Sequence, residues 1–373
     1  MEGIAVTQKD LETVVTPSLL LDLDQLEKNI QDIMEVANSY GVHYRPHVKT
    51  HKSVEIVRRQ IKAGAIGLTV AKVGEAEVMA DAGVKDILIA FPISDKQHLE
   101  RIQALREKTK ITLMIDSVEQ ADKVGEFFDK ENPLPVWIKV NSGLNRCGVE
   151  PNEGVLELAK HIQAWASLKL EGIFTHAGQT YGAKSKAEIE KIAAEEVRII
   201  KDSAALCESQ GISIEHRSVG STPAFKLYPN MDGITEIRPG NAVFYDMVQV
   251  GLGVAEKEQC ALTVLSSVAS IQTGRIVLDA GSKALALDKG AHGNDVVKGH
   301  GHIREHEDLV IESLSEEHGV IPTERTGEVT FGEKLTIIPN HACPVVNLFD
   351  YYTVHKDGKV IDYWSVSARG KNS

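Results

Sequence analysis

Chemistry is concentrated in five short stretches of the chain. In Tyr44-Arg45-Pro46-His47-Val48-Lys49-Thr50-His51-Lys52, a lysine ends a run that reads as a strand. A lysine desolvated at such a point has a lowered pKa and can attack an aldehyde. A solvated basic turn has the same composition, so the stretch alone leaves both readings open. Lys139-Val140-Asn141-Ser142-Gly143-Leu144-Asn145-Arg146-Cys147-Gly148 offers glycines for close backbone approach. Arg146 there can pair with a phenolate or a carboxylate. In Thr175-His176-Ala177-Gly178-Gln179-Thr180-Tyr181, His176 is a candidate general base, because imidazole titrates near neutral pH.

Val219-Gly220-Ser221-Thr222-Pro223 combines glycine with hydroxyl residues, a composition that suits phosphate binding through backbone N–H groups. Gly240 and Asn241, in Arg238-Pro239-Gly240-Asn241-Ala242-Val243-Phe244-Tyr245, could complete that pocket. The last stretch is Asn340-His341-Ala342-Cys343-Pro344-Val345-Val346-Asn347. On a strand, His341 and Cys343 would share a face and point at one ion. Imidazole with thiolate favours zinc, and manganese or another divalent ion remains open if water fills the other positions. Two protein ligands would make an open site. A buried structural pair has the same pattern. His292, Glu317 and His318 are candidates for its outer shell or for substrate contact.

These stretches need a scaffold. From residue 17 to about 250 the chain alternates apolar runs (19–23, 43–48, 66–71, 87–91, 111–115, 136–140, 170–175 and 217–220) with helix-patterned segments. The runs are mostly continuous, as strands covered on both faces should be. Residues 24–39 repeat Leu26, Ile30, Ile33 and Ala37 at helical spacing behind Asp24 as N-cap. Residues 74–82, 117–128 and 184–209 read as further helices. Eight strands with helical crossovers predict an α/β fold, a parallel (β/α)8 TIM-type barrel over 17–252. The first four chemical stretches would then lie at the C-terminal ends of its strands, and the fifth falls beyond the barrel. An open doubly wound sheet would want a glycine-rich loop after the first strand, and here the chain runs straight into a helix.

Beyond 253 the pattern changes to β-rich segments at 261–271, 275–278, 328–330 and 334–338. That predicts a C-terminal antiparallel β domain over 253–373, which residues 1–16 are free to join. Residues 288–307, rich in Gly and His, read as a long functional loop. The 373 residues carry a formal net charge of -12, against a general nucleic-acid or anionic-membrane binder. There is no apolar leader and no 18-residue apolar run. The four cysteines form no CxxC pair, so a cytoplasmic protein with reduced thiols is expected.

In order along the chain, RPHVKTHK (45–52), THAGQTY, GSTPA, RPGN and HACPVVN (341–347) resemble the D-threonine aldolase and D-serine dehydratase family. These are metal-dependent fold-type III pyridoxal phosphate (PLP) enzymes with an alanine racemase-like barrel, and the resemblance covers nearly the whole chain. It implies that Lys49 carries PLP as a Schiff base and that His341 and Cys343 hold the divalent metal, zinc or manganese. It assigns Arg146, Tyr181, Gly220, Ser221, Thr222, Gly240 and Asn241 to cofactor binding and leaves His176 as the catalytic base. It also implies a homodimer acting on a small amino-acid substrate, with no nucleic-acid or membrane partner. The expected reaction is lysis of a D-3-hydroxy amino acid, with D-threonine aldol cleavage placed ahead of D-serine dehydration. An amino-acid racemase and a non-catalytic PLP carrier are the more distant alternatives.

Overall fold

A computed structural model describes residues 9–290 and 296–373. His292, expected near the metal, lies outside the described residues. The chain clusters into two compact units. One comprises residues up to Gln31, Thr50–Glu55 and Asn241–Arg369; the other comprises Asp32–Lys49, Ile56–Gly240 and Gly370–Ser373. The expected division was 17–252 and 253–373, with residues 1–16 free to join the latter.

The second unit is built on eight parallel strands: His43–Tyr44, Leu68–Val70, Asp86–Ile89, Lys110–Ile115, Leu134–Lys139, Leu168–Phe174, His216–Val219 and Glu236–Ile237. Glu236–Ile237 pairs with both His216–Val219 and His43–Tyr44. A bridge between His47 and Thr69 closes the ring, with Thr69 N–H donating to the Pro46 carbonyl and Val48 N–H to that of Thr69. Most of these strands are buried on both faces. Val136, Trp137 and Ile138 are all 2% exposed or less, which is why their sequence reads as continuous apolar runs rather than alternations. Two of the crossover helices are capped by serines: Ser117 accepts from the Gln120 N–H, and Ser185 from that of Glu188.

Residues 19–23 are not a barrel strand. Ser18–Asp22 pairs instead with Leu262–Gln272 and Tyr351–Lys356 in the other unit. The eighth barrel strand is Glu236–Ile237, too short for its pattern to register. Asp22, not Asp24, caps the helix Leu23–Ser39, taking the Gln25 N–H at 3.0 Å. The apolar stripe of that helix, Leu26, Ile30, Ile33 and Ala37, is buried as expected.

The first unit holds a mainly antiparallel ten-stranded sheet around Leu262–Gln272. Arg275–Leu278, Gly319–Pro322 and Ser313–Leu314 follow on one side, and Ser18–Asp22, Tyr351–Lys356, Lys359–Ser365 and Lys9–Asp10 on the other. Lys334–Ile338 pairs with both Leu262–Gln272 and His302–Ile303. The stretch 328–330 is not a strand, since the turn Thr326–Glu328 enters it. His302–Ile303 also gives regular structure to part of the expected long loop.

Candidate functional site

Parallel strands bring their C-terminal ends to one face, and in the barrel unit that face collects cations. Lys49 lies in the turn after the His47 bridge, half-buried, its N–H directed at His47 Nδ1 at 3.4 Å. Lys139 ends the strand Leu134–Lys139. It is 5% exposed, and its Nζ has no hydrogen-bond partner among the described residues and stands 4.9 Å from the Phe174 ring centre. Burial lowers its pKa to about 7, and Arg238 and Arg146 repel its charge, partly offset by Cys147 and Glu196. Arg146 itself is exposed in a loop organised by Asn141, whose Oδ1 accepts from Gly143 and Asn145 N–H.

His176 follows the strand Leu168–Phe174, and its Nδ1 meets the Gly220 carbonyl at 3.1 Å. A carbonyl only accepts, so Nδ1 carries the proton and Nε2 bears the lone pair. Burial holds the ring well below its usual pKa, and Lys49 and Lys139 add repulsion. The imidazole is therefore neutral, the state a base requires.

Glu196, on the long helix Lys186–Ser209, binds this region from beneath. Its Oε1 accepts from the N–H of Ala177 at 3.0 Å and of Gly220 at 3.3 Å, and its Oε2 from the Tyr228 hydroxyl at 2.7 Å. Gly220 has φ +143°, and a Cβ there would lie 2.7 Å from the Arg238 nitrogen, so only glycine fits the loop. Ser221 and Thr222 are buried after it, and Ser221 Oγ lies 3.1 Å from Thr180 Oγ1. Tyr181 is buried in the turn Gly178–Gly182. Arg238 is buried, donating to Ser218 Oγ and to the Thr175 carbonyl.

Lys139, Glu196 and Arg238 were not singled out from sequence. Lys139 had a signal, a charged residue closing an otherwise apolar strand. Glu196 had none, because one carboxylate in the acidic run Glu195-Glu196 does not show which way it faces.

In the other unit, His341 and Cys343 are not on a strand. Lys334–Ile338 ends first, His341 occupies the N-cap position of the short helix Ala342–Val346, and Cys343 lies in its first turn. The two side chains still hydrogen-bond to each other. Asp288 takes His341 Nδ1 at 2.6 Å, so Nε2 is the ring nitrogen that would meet an ion once its proton is lost, the usual arrangement of a metal-ligating histidine. Burial disfavours the imidazolium, but Cys343, Asp288 and Asp246 outweigh it and raise the His341 pKa to about 10. The Cys343 thiol reaches Oγ1 of Thr50, the residue next to Lys49 in the chain, at 3.2 Å.

Among the described residues no group of three or more His, Cys, Asp and Glu could hold a metal, so the pair offers two protein donors, nitrogen and sulfur. That donor set fits an open zinc site. Of the outer-shell candidates, Glu317 is ion-paired with Lys283 and His318 lies beside Ser315. Gly240 precedes the turn Asn241–Val243. Asn241 turns its side-chain amide to Asp246, leaving backbone rather than side chain for a phosphate.

Residues 21–248 match the alanine racemase N-terminal domain, and residues 261–355 a putative serine dehydratase domain. The chain belongs to this family of fold-type III PLP-dependent lyases. It is 32% identical to the D-threo-3-hydroxyaspartate dehydratase of Delftia sp. (strain HT23), covering 95% of this chain and 97% of that one. It is 31% identical to the 3-hydroxy-D-aspartate aldolase of Paracoccus denitrificans (strain Pd 1222), over 98% and 95% respectively. A solved structure of a cysteine-to-alanine variant of D-threo-3-hydroxyaspartate dehydratase in a metal-free form superposes with a TM-score of 0.90. At 30% identity it covers 96% of this chain and 99% of that one. No helix among the described residues is long and apolar enough to cross a membrane.

Proposed function

We propose that this chain is a PLP- and zinc-dependent dehydratase of D-3-hydroxy amino acids. The observation that carries the reading is the pairing of His341 with Cys343, the thiol seated on the residue next to Lys49 in the chain. When bound, PLP supplies an electron sink for charge developed at the substrate's α-carbon, and the metal a Lewis acid for the β-hydroxyl. A thiolate donor selects zinc over manganese, and the Lewis acidity such an ion would supply suits loss of the β-hydroxyl.

Lys49 would hold the cofactor through its aldehyde group and would serve as the base for the substrate's α-proton. Gly220, Ser221 and Thr222 receive the phosphate through backbone N–H and hydroxyl groups. Arg146 pairs with the ring hydroxyl or the substrate carboxylate, and buried Tyr181 packs toward the cofactor. Gly240 and Asn241 add main-chain contacts. The products are a keto acid and ammonia.

The neutral His176, with its lone pair on Nε2, supports the second reading, in which a proton leaves the β-hydroxyl and D-threonine is cleaved to glycine and acetaldehyde. The resemblance also supports a homodimer, which light scattering would test.

The deciding assay offers D-serine, D-threo-3-hydroxyaspartate and D-threonine with and without EDTA. Keto acid and ammonia, lost with EDTA and restored by zinc, are expected. Glycine and an aldehyde would move the assignment to the aldolase. EDTA-insensitive activity would remove His341 and Cys343 from the chemistry, and a Lys49→Ala protein that still binds PLP covalently would remove Lys49.

A further inference from the structure

We propose that Asp246 is a positioning residue that sets the affinity of the His341–Cys343 pair for its metal. The proposal rests on that pair holding the ion. Asp246 is fully buried, at 0% exposure. Its Oδ2 accepts from the backbone N–H of Ala342, the residue between the two ligands, at 2.9 Å, and from Asn241 Nδ2 at 2.5 Å. Its Oδ1 accepts from Gln249 N–H at 3.2 Å, capping the helix Met247–Gly251.

The next two residues continue the same attachment. Met247 N–H donates to the Pro339 carbonyl and Val248 N–H to that of Asn340, each at 3.1 Å. Residues 339–342 are thus held at three successive points by 246–248, with His341 inside the held segment. Asp246 supplies the one attachment that lies between His341 and Cys343.

The local backbone is built around this placement. Tyr245 is fully buried with φ +50°, a left-handed conformation that costs a non-glycine residue free energy and persists where its surroundings enforce it. It reverses the chain so that Asp246 follows in extended conformation as the cap. Asn241 donates an amide N–H to Asp246, and its buried Oδ1 has no hydrogen-bond partner among the described residues, so the carboxylate fixes that side chain as well. Two short segments, one from the RPGN stretch and one from HACPVVN, are joined through a single oxygen atom.

Asp246→Asn is the discriminating variant. Asparagine caps a helix as well as aspartate, so the Gln249 bond survives. An amide facing Ala342 N–H and Asn241 Nδ2 would, however, oppose donor to donor or leave one of them unmet. Loss of an outer-shell partner costs about 10- to 100-fold in metal affinity.

The holoenzyme, stripped of metal with a chelator, is titrated with Zn²⁺ against a chromophoric chelator, alongside His341→Ala and wild type. The cofactor's visible absorbance and the thermal midpoint are recorded on the same samples. The expected result is zinc affinity about 10- to 100-fold weaker for Asp246→Asn, with cofactor absorbance unchanged. Wild-type affinity in Asp246→Asn beside a loss in His341→Ala overturns the positioning role alone. Wild-type affinity in both variants overturns the metal pair and the proposal together. Loss of cofactor absorbance in parallel with zinc affinity would show a general structural role and likewise overturn it.

Discussion

Lys139→Met should stabilise the cofactor-free protein, and by an amount that depends on pH. The lysine is 5% exposed, its Nζ lacks a hydrogen-bond partner among the described residues, and its pKa falls from the ordinary 10.5 to about 7. Between those values the unfolded chain binds a proton that the folded chain does not, so stability rises with pH across that window. Below it, the folded protein bears the full cost of a buried ammonium. One pKa unit corresponds to about 1.4 kcal/mol, so the penalty is about 4 kcal/mol near pH 7 and about 2 kcal/mol near pH 9. Methionine fills a similar volume and carries no charge. Urea denaturation of both proteins, stripped of PLP, at the two pH values isolates this group, because other titrations cancel in the difference. The variant should be more stable at both, and its advantage should shrink by about 2 kcal/mol on going to the higher pH. A gain independent of pH, or a loss, would refute the reading of Lys139 as an uncompensated buried charge.

Gly220→Ala should weaken PLP binding. The position has φ +143° and would place Cβ 2.7 Å from the Arg238 nitrogen. Strain of about 1–3 kcal/mol at the loop corresponds to roughly a 5- to 150-fold loss of affinity. A PLP titration showing wild-type affinity would remove this loop from phosphate binding. Glu196→Ala should strip the acceptor from Ala177 N–H, Gly220 N–H and the Tyr228 hydroxyl. At about 1–3 kcal/mol per buried unmet donor, partly relieved by water, a loss of roughly 3–5 kcal/mol is expected in chemical denaturation. Glu196→Gln keeps an acceptor for both backbone groups and should lose less than half of that.

The barrel was legible because its strands are covered on both faces, which leaves an unbroken apolar signature. The exceptions have local causes. The run at 19–23 is equally apolar, yet Ser18–Asp22 pairs with Leu262–Gln272 and Tyr351–Lys356. Leu19, Leu20 and Leu21 are buried there no less completely than barrel residues, so composition could not separate the two destinations. Glu236–Ile237 escaped notice for the opposite reason. Two residues cannot show a period, and the first is a buried glutamate whose charge is met by Arg45 in the same ring. Its presence inside the barrel follows from pairing, which the linear pattern does not encode.

The site shows the same division between residue type and conformation. Imidazole and thiolate at 341 and 343 could be recognised as a donor pair whatever the backbone did. The strand inferred for them was wrong, because Pro344 and the following valines sit inside a helix that starts at Ala342. Proline is well tolerated in a first helical turn, where its missing N–H is not needed. In that turn the cap and the second residue after it still converge, so the two side chains meet although the backbone between them is not a strand. What the sequence could not show was support from distant positions. Asp246 reaches Ala342 across 96 residues and Glu196 reaches Gly220 across 24, and each is an ordinary carboxylate in the linear chain. Donor atoms are therefore readable from residue type, whereas the carboxylates that hold them in place become readable only once the fold has buried them.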